Sequence, residues 1–201
     1  MIEYPHKERR LRTMRKDLKN HNYLFPMPVL IISTYNEDGS VDCMNAAWGT
    51  MEDSDVIEIQ LTKDHMTSKN ILRNKAFTIA PLDRKNVVQG DFVGIVSANE
   101  DKDKFKKTLW HASKASIVNA PTIEELPLSL ECELVRVCRE NGDFEVFGKI
   151  KNISVREDVL DESGHLSIDK CEFVTFCSAD NTYRLVGEKV APAFQAGLKL
   201  K

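Results

Sequence analysis

Two short segments carry residue types that suit a flat, phosphorylated ligand, and the first of them suits the flat ring. It reads Asn45-Ala-Ala-Trp-Gly-Thr50 and follows a run typical of a strand. Small side chains let a ring approach the backbone, whose N–H and C=O groups can pair with its polar edge. A tightly packed strand end with one aromatic plug is the alternative interpretation. The candidate ring-binding residues are Asn45, Ala46, Ala47, Trp48, Gly49 and Thr50.

The second segment, Leu61 to Asn70, places hydroxyl and basic side chains where a strand ends and a helix begins. Free N–H groups and the helix dipole favour a phosphate at such a point, and basic side chains add charge-assisted contacts. Plain capping of the helix by a hydroxyl is the alternative. The candidate phosphate-binding residues are Thr62, Lys63, His65, Thr67, Ser68, Lys69 and Asn70. A ring site beside a phosphate site indicates a mononucleotide, of which flavin is one.

The sequence lacks the local signatures of several other chemistries. It contains no GxGxxG, GxxxxGK[ST], GxSxG or HExxH motif, so neither a dinucleotide fold, a P-loop, a serine hydrolase nor a zinc protease is supported. The five histidines are scattered, and none lies three or four residues from another, so no helix-borne metal pair is expected. A catalytic dyad of residues distant in sequence stays open.

The five cysteines are interpreted as small buried hydrophobic residues. Their number is odd, no CxxC pair occurs, and the chain is too long to need a disulfide framework. Cys132/Cys138 and Cys171/Cys177 are each six residues apart, which places both members of a pair on one face of a strand. A zinc or redox role is the other interpretation. We therefore expect a reducing, cytoplasmic location.

Short strands joined by turns must position the two segments. Val29–Tyr35 and Val41–Trp48 flank the turn Asn36–Ser40 and predict a β-hairpin, and Val56–Leu61 alternates as a half-buried strand. Residues 67–75 predict a short helix with Thr67 or Ser68 as its N-cap.

Further elements follow in the remainder of the chain. They are a strand over Phe77–Ala80, a helix over Asn86–Val96, a charged surface segment over 98–107, paired strands over Leu128–Cys138 and Phe144–Val155, a last strand over Glu172–Cys177 and an exposed tail over Ala193–Lys201. Asn141-Gly142 between the paired strands is the strongest hairpin signal. The pattern predicts a mainly β protein with peripheral helices, built as a small β-barrel in a single domain over residues 1–201.

Residues 6–20 predict a basic N-terminal helix, with Leu11, Met14 and Leu18 as its apolar stripe. It either faces an anion or lies on the domain as a solvated helix. Lys+Arg 28 against Asp+Glu 31 gives a net charge of -3, which argues against duplex nucleic acid as the main partner. No apolar run approaches the ~20 residues of a membrane helix, and the N-terminus lacks the apolar core of a secretory signal.

The order of these segments resembles the flavin reductase-like family, the FMN-binding split β-barrels, over about residues 20–200. The resemblance rests on FPMPVLIIST, the EDGS turn, NAAWGT, EIQLT and HMTSKNI, and above all on NAPTIEELPLSLECELVRV and YRLVGEKVAPAF. Within the family the chain is most similar to the flavoredoxin-type branch.

The resemblance implies a role for each segment. Asn45–Thr50 would lie against the isoalloxazine ring, and His65, Thr67, Ser68 and Lys69 would hold the phosphate, with Asn70 close by. The helix end at Gly94–Ser97 would approach the ring or a partner chain. Many family members carry Arg in the phosphate segment, where this chain reads Lys63-Asp64-His65.

The resemblance also implies an activity and an assembly. Such proteins form homodimers, and many pass a hydride from NADH or NADPH to flavin, which then serves a monooxygenase or another electron acceptor. Because the cofactor carries this chemistry, no side chain need act as acid or base. Two alternatives stay open: a carrier or storage protein that binds FMN or haem without turning over nicotinamide, and a nucleic-acid module that uses the basic N-terminal helix.

Overall fold

The computed structural model describes residues 15–19, 23–140 and 143–201. Of the predicted basic helix over 6–20, only 15–19 are among them, and these five form neither helix nor strand. The remainder of that prediction, including Leu11 and Met14, lies outside the described residues, as does the Asn141-Gly142 turn.

Strands dominate the described residues. In chain order they are β1 Met27–Pro28, β2 Leu30–Tyr35, β3 Val41–Ala46, β4 Gly49–Met51, β5 Val56–Thr62, β6 Ala76–Pro81, β7 Ala112–Lys114, β8 Pro121–Ile123, β9 Leu128–Glu140, β10 Asp143–Val155, β11 Val174–Cys177 and β12 Thr182–Leu185.

Short helices lie around the strands. They are α1 Met66–Asn74, α2 Val87–Ile95, α3 Lys104–Lys107 and α4 Ile168–Cys171, with 3-10 turns at Arg84–Asn86, Glu157–Val159 and Ala196–Leu200. Within the described ranges, no helix is both long and apolar enough to cross a membrane.

Seven strands form one curled antiparallel sheet in the order β3-β2-β6-β9-β10-β5-β4. Its two edge strands, β3 and β4, are consecutive in the chain, and only Ala47 and Trp48 join them. The Gln60 N–H donates to the Trp48 carbonyl at 2.9 Å and holds this crossing against β5. The sheet is therefore a half-barrel that is open between its edges, which confirms the predicted split β-barrel with peripheral helices.

The hydrophobic core lies on both faces of β2. Leu30 and Ile32 belong to the cluster inside the barrel, whereas Val29 and Ile31 belong to a second cluster under α2 and β11. Each of the four is no more than 6% exposed. A continuous apolar run instead of an alternating one is what a strand covered on both sides requires.

Strand β9 of the β9–β10 hairpin contains a bulge, which the predicted placement of Cys132 and Cys138 on one face did not allow for. Phe147 pairs with Arg136 but Gly148 pairs with Leu134, so Val135 is the extra residue on β9. Because a bulge reverses which face each later side chain points to, Leu134 and Val137 both reach the core.

The two members of each cysteine pair do not share a face of one strand, although their spacing predicted that they would. The bulge lies between Cys132 and Cys138, and Cys171 lies in α4 instead of a strand. Cys138 follows the bulge and is only partly buried, whereas Cys132 is fully buried. Cys171 ends α4, and Cys177 lies on β11. The same-face prediction is therefore wrong for both pairs. All five cysteines are free, and four are buried, as their interpretation as packing residues requires.

The remaining differences from the predicted elements are local. The pairing of β1 with β11 and of β11 with β12 makes a small three-stranded sheet, of which the sequence predicted only β11. The segment 98–107 was expected to be entirely on the surface, but its residue Lys104 is buried. The tail beyond Ala193 is exposed, as expected.

Candidate functional site

A groove opens between the two edges of the half-barrel, and its larger part is a cavity of about 340 Å³, here called the ring pocket. The ends of β3 and β5 form its floor, α2 forms one wall, and the small sheet of β1, β11 and β12 forms the other. The candidate residues that line it are Asn45, Ala46, Ala47, Trp48, Thr62, His65 and Gly94. The sequence thus predicted most of the floor, since most of these residues follow one another along two strand ends.

Gly49 and Thr50 lie outside the lining of the ring pocket. A Cβ on Gly49 would stand 2.7 Å from Leu30 Cδ1 and 3.0 Å from Ile59 Cγ2, so only glycine lets β4 lie directly on the core. Thr50 is exposed and pairs with Glu58 across the β4–β5 ladder. Both residues position the ring pocket without facing it.

A hydrogen-bonded chain of side chains crosses the wall of the ring pocket. Asn45 Nδ2 donates to the Gly90 carbonyl at 3.0 Å and lies 3.5 Å from Tyr183 Oη, which itself donates to Asp91 Oδ1 at 2.8 Å. Burial and the adjacent Asp91 carboxylate raise the pKa of Tyr183 to about 12. The phenol therefore remains protonated at physiological pH, and Asn45 is fixed in a single orientation.

Sequence reasoning missed Asp91 and Tyr183, which line the ring pocket together with Gln60, Ile95 and Phe176. Tyr183 is far in sequence from both of its partners. Tyr183 begins the YRLVGEKVAPAF segment that carries the family resemblance, but the sequence does not show which residues it contacts, so only the folded chain reveals its bonds to Asn45 and Asp91.

Gly94 lets α2 close on β3. A Cβ there would be 3.1 Å from Asn45 Cβ, a contact tighter than most packed side chains make. Gly94 therefore permits the approach of α2 that shapes the groove. It also lines the ring pocket and a smaller cavity next to it.

The smaller cavity, here called the polar pocket, measures about 200 Å³ and shares Met44, His65, Gly94 and Ile95 with the ring pocket. Because of these shared residues, the two cavities form one groove. The remaining lining of the polar pocket includes Met66, Thr67, Ser97 and Lys104.

Helix α1 begins at the polar pocket with its first turn uncapped by any side chain. His65 is the N-cap, and its Nδ1 is buried without a hydrogen-bond partner. Thr67 or Ser68 was the predicted N-cap, and this prediction is wrong, because both lie inside the first turn. An unmatched buried nitrogen beside free helical N–H groups is a suitable site for an anion.

Several candidate phosphate-binding side chains are already engaged within the protein. Thr67 Oγ1 donates to Asp42 Oδ2 at 2.5 Å, and Ser68 Oγ donates to the Thr62 carbonyl at 2.8 Å. Asn70, which is fully buried, donates to Thr34 and Asn36 on the first hairpin. Thr67 and Ser68 can therefore offer a ligand chiefly their backbone N–H groups.

The two lysines that the sequence offered for the phosphate, Lys63 and Lys69, do not line either pocket. Lys63 is exposed and lines neither pocket, and Lys69 is exposed with its Nζ 3.2 Å from Asn99 Oδ1. Ser97, the other candidate on the α2 side, lines the polar pocket. Whether each candidate contacts a cofactor stays a prediction.

The groove fits a planar ring that carries an anionic group. Its larger end combines apolar walls with backbone and amide groups, and its smaller end combines His65 Nδ1, an uncapped helix start and the ammonium of Lys104. Within the part of the chain that the structure describes, no cluster of His, Cys, Asp or Glu could hold a metal ion.

A curled half-barrel with a groove at its open edge defines a split-barrel protein. A model of the flavin reductase like domain matches residues 22–175, and the chain belongs to this family. The family match covers β1 through the first half of β11, and β12 with Tyr183 lies beyond it.

Two flavoredoxins of known structure are similar to the chain. The flavoredoxin of Desulfovibrio vulgaris (Miyazaki F) is 31% identical with a TM-score of 0.85, over 92% of this chain and 100% of that chain. The flavoredoxin of Methanosarcina acetivorans is 25% identical with a TM-score of 0.83, over 93% and 100%.

More distant matches include one structure that shows the fold alone. A candidate flavin reductase with a split barrel domain from Shewanella frigidimarina is 19% identical with a TM-score of 0.73, over 83% of this chain and 84% of that chain. An uncharacterized protein of Aeropyrum pernix is 28% identical over 138 residues, which span 67% of this chain and only 52% of that relative.

Proposed function

We propose that the protein binds FMN in the groove and transfers a hydride to it from NADH or NADPH, as a flavin oxidoreductase. The observation that carries the proposal is the continuity of the ring pocket with the polar pocket, where His65 Nδ1 lacks a partner. A flat ring and an anion are the two ends of a mononucleotide, and the shared lining residues make the two pockets continuous. Membership of the flavin reductase-like family supports the choice of flavin.

The protein supplies binding and orientation in this proposal. Bound flavin supplies the redox chemistry, as the acceptor and then the donor of two electrons. Asn45 and Tyr183 present fixed polar groups along the wall, and the first turn of α1 with His65 receives the phosphate. Trp48, which lines the ring pocket, is 52% exposed, so this side of the groove stays open for a nicotinamide.

The test combines a visible spectrum with a variant that fills the groove. The purified protein should show the flavin bands, lose them on reduction by NADH or NADPH, and oxidise one of these nucleotides when free FMN is added. Gly94→Leu places a side chain where both pockets meet and should abolish flavin uptake. Gly197→Leu is the matched control, because nothing lies within 4 Å of its Cβ position. A colourless wild-type protein that takes up no added FMN would refute the proposal.

A carrier that retains FMN, or haem, without turning over nicotinamide is the second candidate. One observation favours it: the chain is 31% and 25% identical to two flavoredoxins but only 19% identical to the candidate flavin reductase. Tight flavin retention with no nicotinamide oxidation above background would select this candidate. The shape of the visible spectrum separates flavin from haem.

The proposal includes a single flavin reductase-like domain over residues 1–201, a homodimer in the cytoplasm and a flavin-dependent enzyme or another electron acceptor downstream. The exposed apolar side chains of Val88 and Ile95 on α2 support a protein contact beside the groove. Five free cysteines suit a reducing compartment. The molar mass in solution, measured by light scattering after size-exclusion chromatography, tests whether the protein is a dimer of the 22.9 kDa chain. Binding of DNA or RNA that is lost on deletion of residues 1–20 would instead support the nucleic-acid alternative.

A further inference from the structure

Asp91 is the acidic residue of the ring pocket. The described residues that line this pocket include neither Lys nor Arg, and Asp91 is the single carboxylate among them. His65 is shared with the polar pocket, where the proposed function places the phosphate. The end of the groove that suits a flat ring therefore carries a negative charge.

The carboxylate of Asp91 is held in place by a neutral donor. Its Oδ1 accepts the Tyr183 hydroxyl at 2.8 Å, and Tyr183 keeps its proton because burial and Asp91 raise the pKa of that phenol to about 12. A hydrogen bond from a neutral hydroxyl fixes the direction of a carboxylate but does not cancel its charge. Asp91 is partly buried on α2, so solvent screens this charge less than it would on an open surface.

Hydride transfer to a flavin gives its ring a negative charge. NADH or NADPH delivers a hydride, which is one proton and two electrons, to the neutral ring of oxidised FMN, and the nicotinamide leaves as a cation. The reduced ring is then an anion until it takes up a second proton from water. A fixed carboxylate in the ring pocket repels this anion but not the neutral ring that preceded it.

We propose that Asp91 makes the groove bind oxidised FMN more tightly than reduced FMN, so that reduction weakens flavin binding. The inference rests on the proposed function and adds the residue that discriminates between the two redox states. By linkage, a ligand whose oxidised form binds more tightly has a lower reduction potential on the protein than in solution. For a two-electron couple, each tenfold preference lowers the potential by about 30 mV.

The test is an anaerobic redox titration of bound and free FMN against a reference dye. FMN bound to the wild-type protein should have a potential about 30 mV or more below that of free FMN, which corresponds to at least tenfold tighter binding of the oxidised form. Asp91→Asn keeps the shape of the side chain and an acceptor for the Tyr183 hydroxyl, and it should raise the potential of bound FMN by about 30 mV. Asp169→Asn, which removes an exposed carboxylate on α4 outside both pockets, is the matched control and should leave the potential unchanged.

Two further variants separate the charge of Asp91 from its place in the hydrogen-bonded wall. Asp91→Glu keeps the charge and should keep most of the difference between bound and free FMN. Tyr183→Phe removes the hydrogen bond but leaves the charge, so the potential should stay at or below the wild-type value.

Two results would overturn the role of Asp91 and leave FMN binding standing. One is a folded Asp91→Asn protein with the wild-type potential. The other needs no variant and is a wild-type potential at or above that of free FMN. A wild-type protein that binds no FMN refutes both this inference and the proposed function.

Discussion

The hydroxyl of Tyr183 connects groups from three separate parts of the chain. It donates to Asp91 on α2 and lies within reach of the Asn45 amide on β3, while Asn45 also binds the Gly90 carbonyl. Because Asn45 is held at both sides, its amide offers the groove a fixed polar edge. Preorganised groups of this kind bind a ligand without a further ordering cost.

Tyr183→Phe should lower the free energy of unfolding by about 1–3 kcal/mol, since it leaves Asp91 without its donor in a part-buried wall. Flavin binding should weaken as well, because Asn45 is freer to turn. Urea denaturation and fluorescence titration measure the two effects. Tyr35→Phe is the matched control, because burial alone raises the pKa of Tyr35, with no contribution from a hydrogen bond, and it should change stability by less than about 0.5 kcal/mol. Equal losses in both variants would contradict the role of the Tyr183 hydroxyl.

The raised pKa of Tyr183 predicts a loss of stability at alkaline pH. The folded protein holds this proton up to about pH 12, whereas the ordinary tyrosine value is 10.0, so the folded state binds more protons between these values. The free energy of unfolding must therefore fall as pH rises through that range. Denaturant unfolding from pH 9 to the highest pH tolerated should show the decline. Tyr183→Phe should decline less steeply, and parallel curves would contradict the assignment.

Hydrogen bonds attach helix α1 to the first hairpin. Asn70 donates to Thr34 and Asn36, and Arg73 donates to both Asn70 and the Tyr35 carbonyl. These bonds fix the direction of the helix and thus the place of its N-terminus. Asn70, a candidate for phosphate contact in the sequence, belongs to this attachment.

Asn70→Ala should therefore act on stability and not on ligand selection. Loss of its buried hydrogen bonds should cost about 1–3 kcal/mol of unfolding free energy, while the ratio of FMN to riboflavin affinity stays at the wild-type value. Asn99→Ala, which removes an exposed amide that bonds Lys69 and the Asp64 carbonyl, is the comparison for stability. A collapse of the ratio in a folded Asn70→Ala protein would place Asn70 at the phosphate after all.

Strand β10 crosses the barrel core at a glycine. A Cβ on Gly148 would stand 2.4 Å from Phe77 Cζ, and Phe77 is fully buried. Gly148→Ala should therefore lower stability by about 1–3 kcal/mol through overpacking, measured by thermal unfolding. Gly187→Ala meets nothing within 4 Å and should leave Tm unchanged. A stabilised Gly148→Ala protein would show that Phe77 can move aside.

Elements that are determined by residues close to one another in the sequence could be predicted from it. The first hairpin, β5 and the β9–β10 pair follow from alternation and turn residues. The position of α2 follows from apolar residues at helical spacing, and the ring-side segment follows from small residues at a strand end. The bulge at Val135 could not be predicted, because one extra residue leaves the local pattern intact but reverses the faces beyond it. Lys104, Asp91 and Tyr183 depend on contacts between distant segments, and single residues carry no periodic signal.

At the scale of the whole molecule, ligand binding and folding are linked. FMN that binds only the folded protein should add about 2.7 kcal/mol to its unfolding free energy at a concentration 100 times Kd. A thermal-shift series with FMN should show Tm rising with the logarithm of ligand concentration. Riboflavin at equal concentration should raise Tm less. Gly94→Leu is the control, and a Tm increase of wild-type size in that variant would place the flavin outside the groove.

The position of Tyr183 in the chain also determines when, during synthesis of the protein, the wall of the groove can be completed. Its bond to Asp91 joins residues 92 apart, and its contact with Asn45 joins residues 138 apart. A ribosome synthesises β3, β5 and α2, which also line the ring pocket, long before it synthesises β12. In the proposed function, the complete flavin site therefore forms only after the chain has been translated past Tyr183.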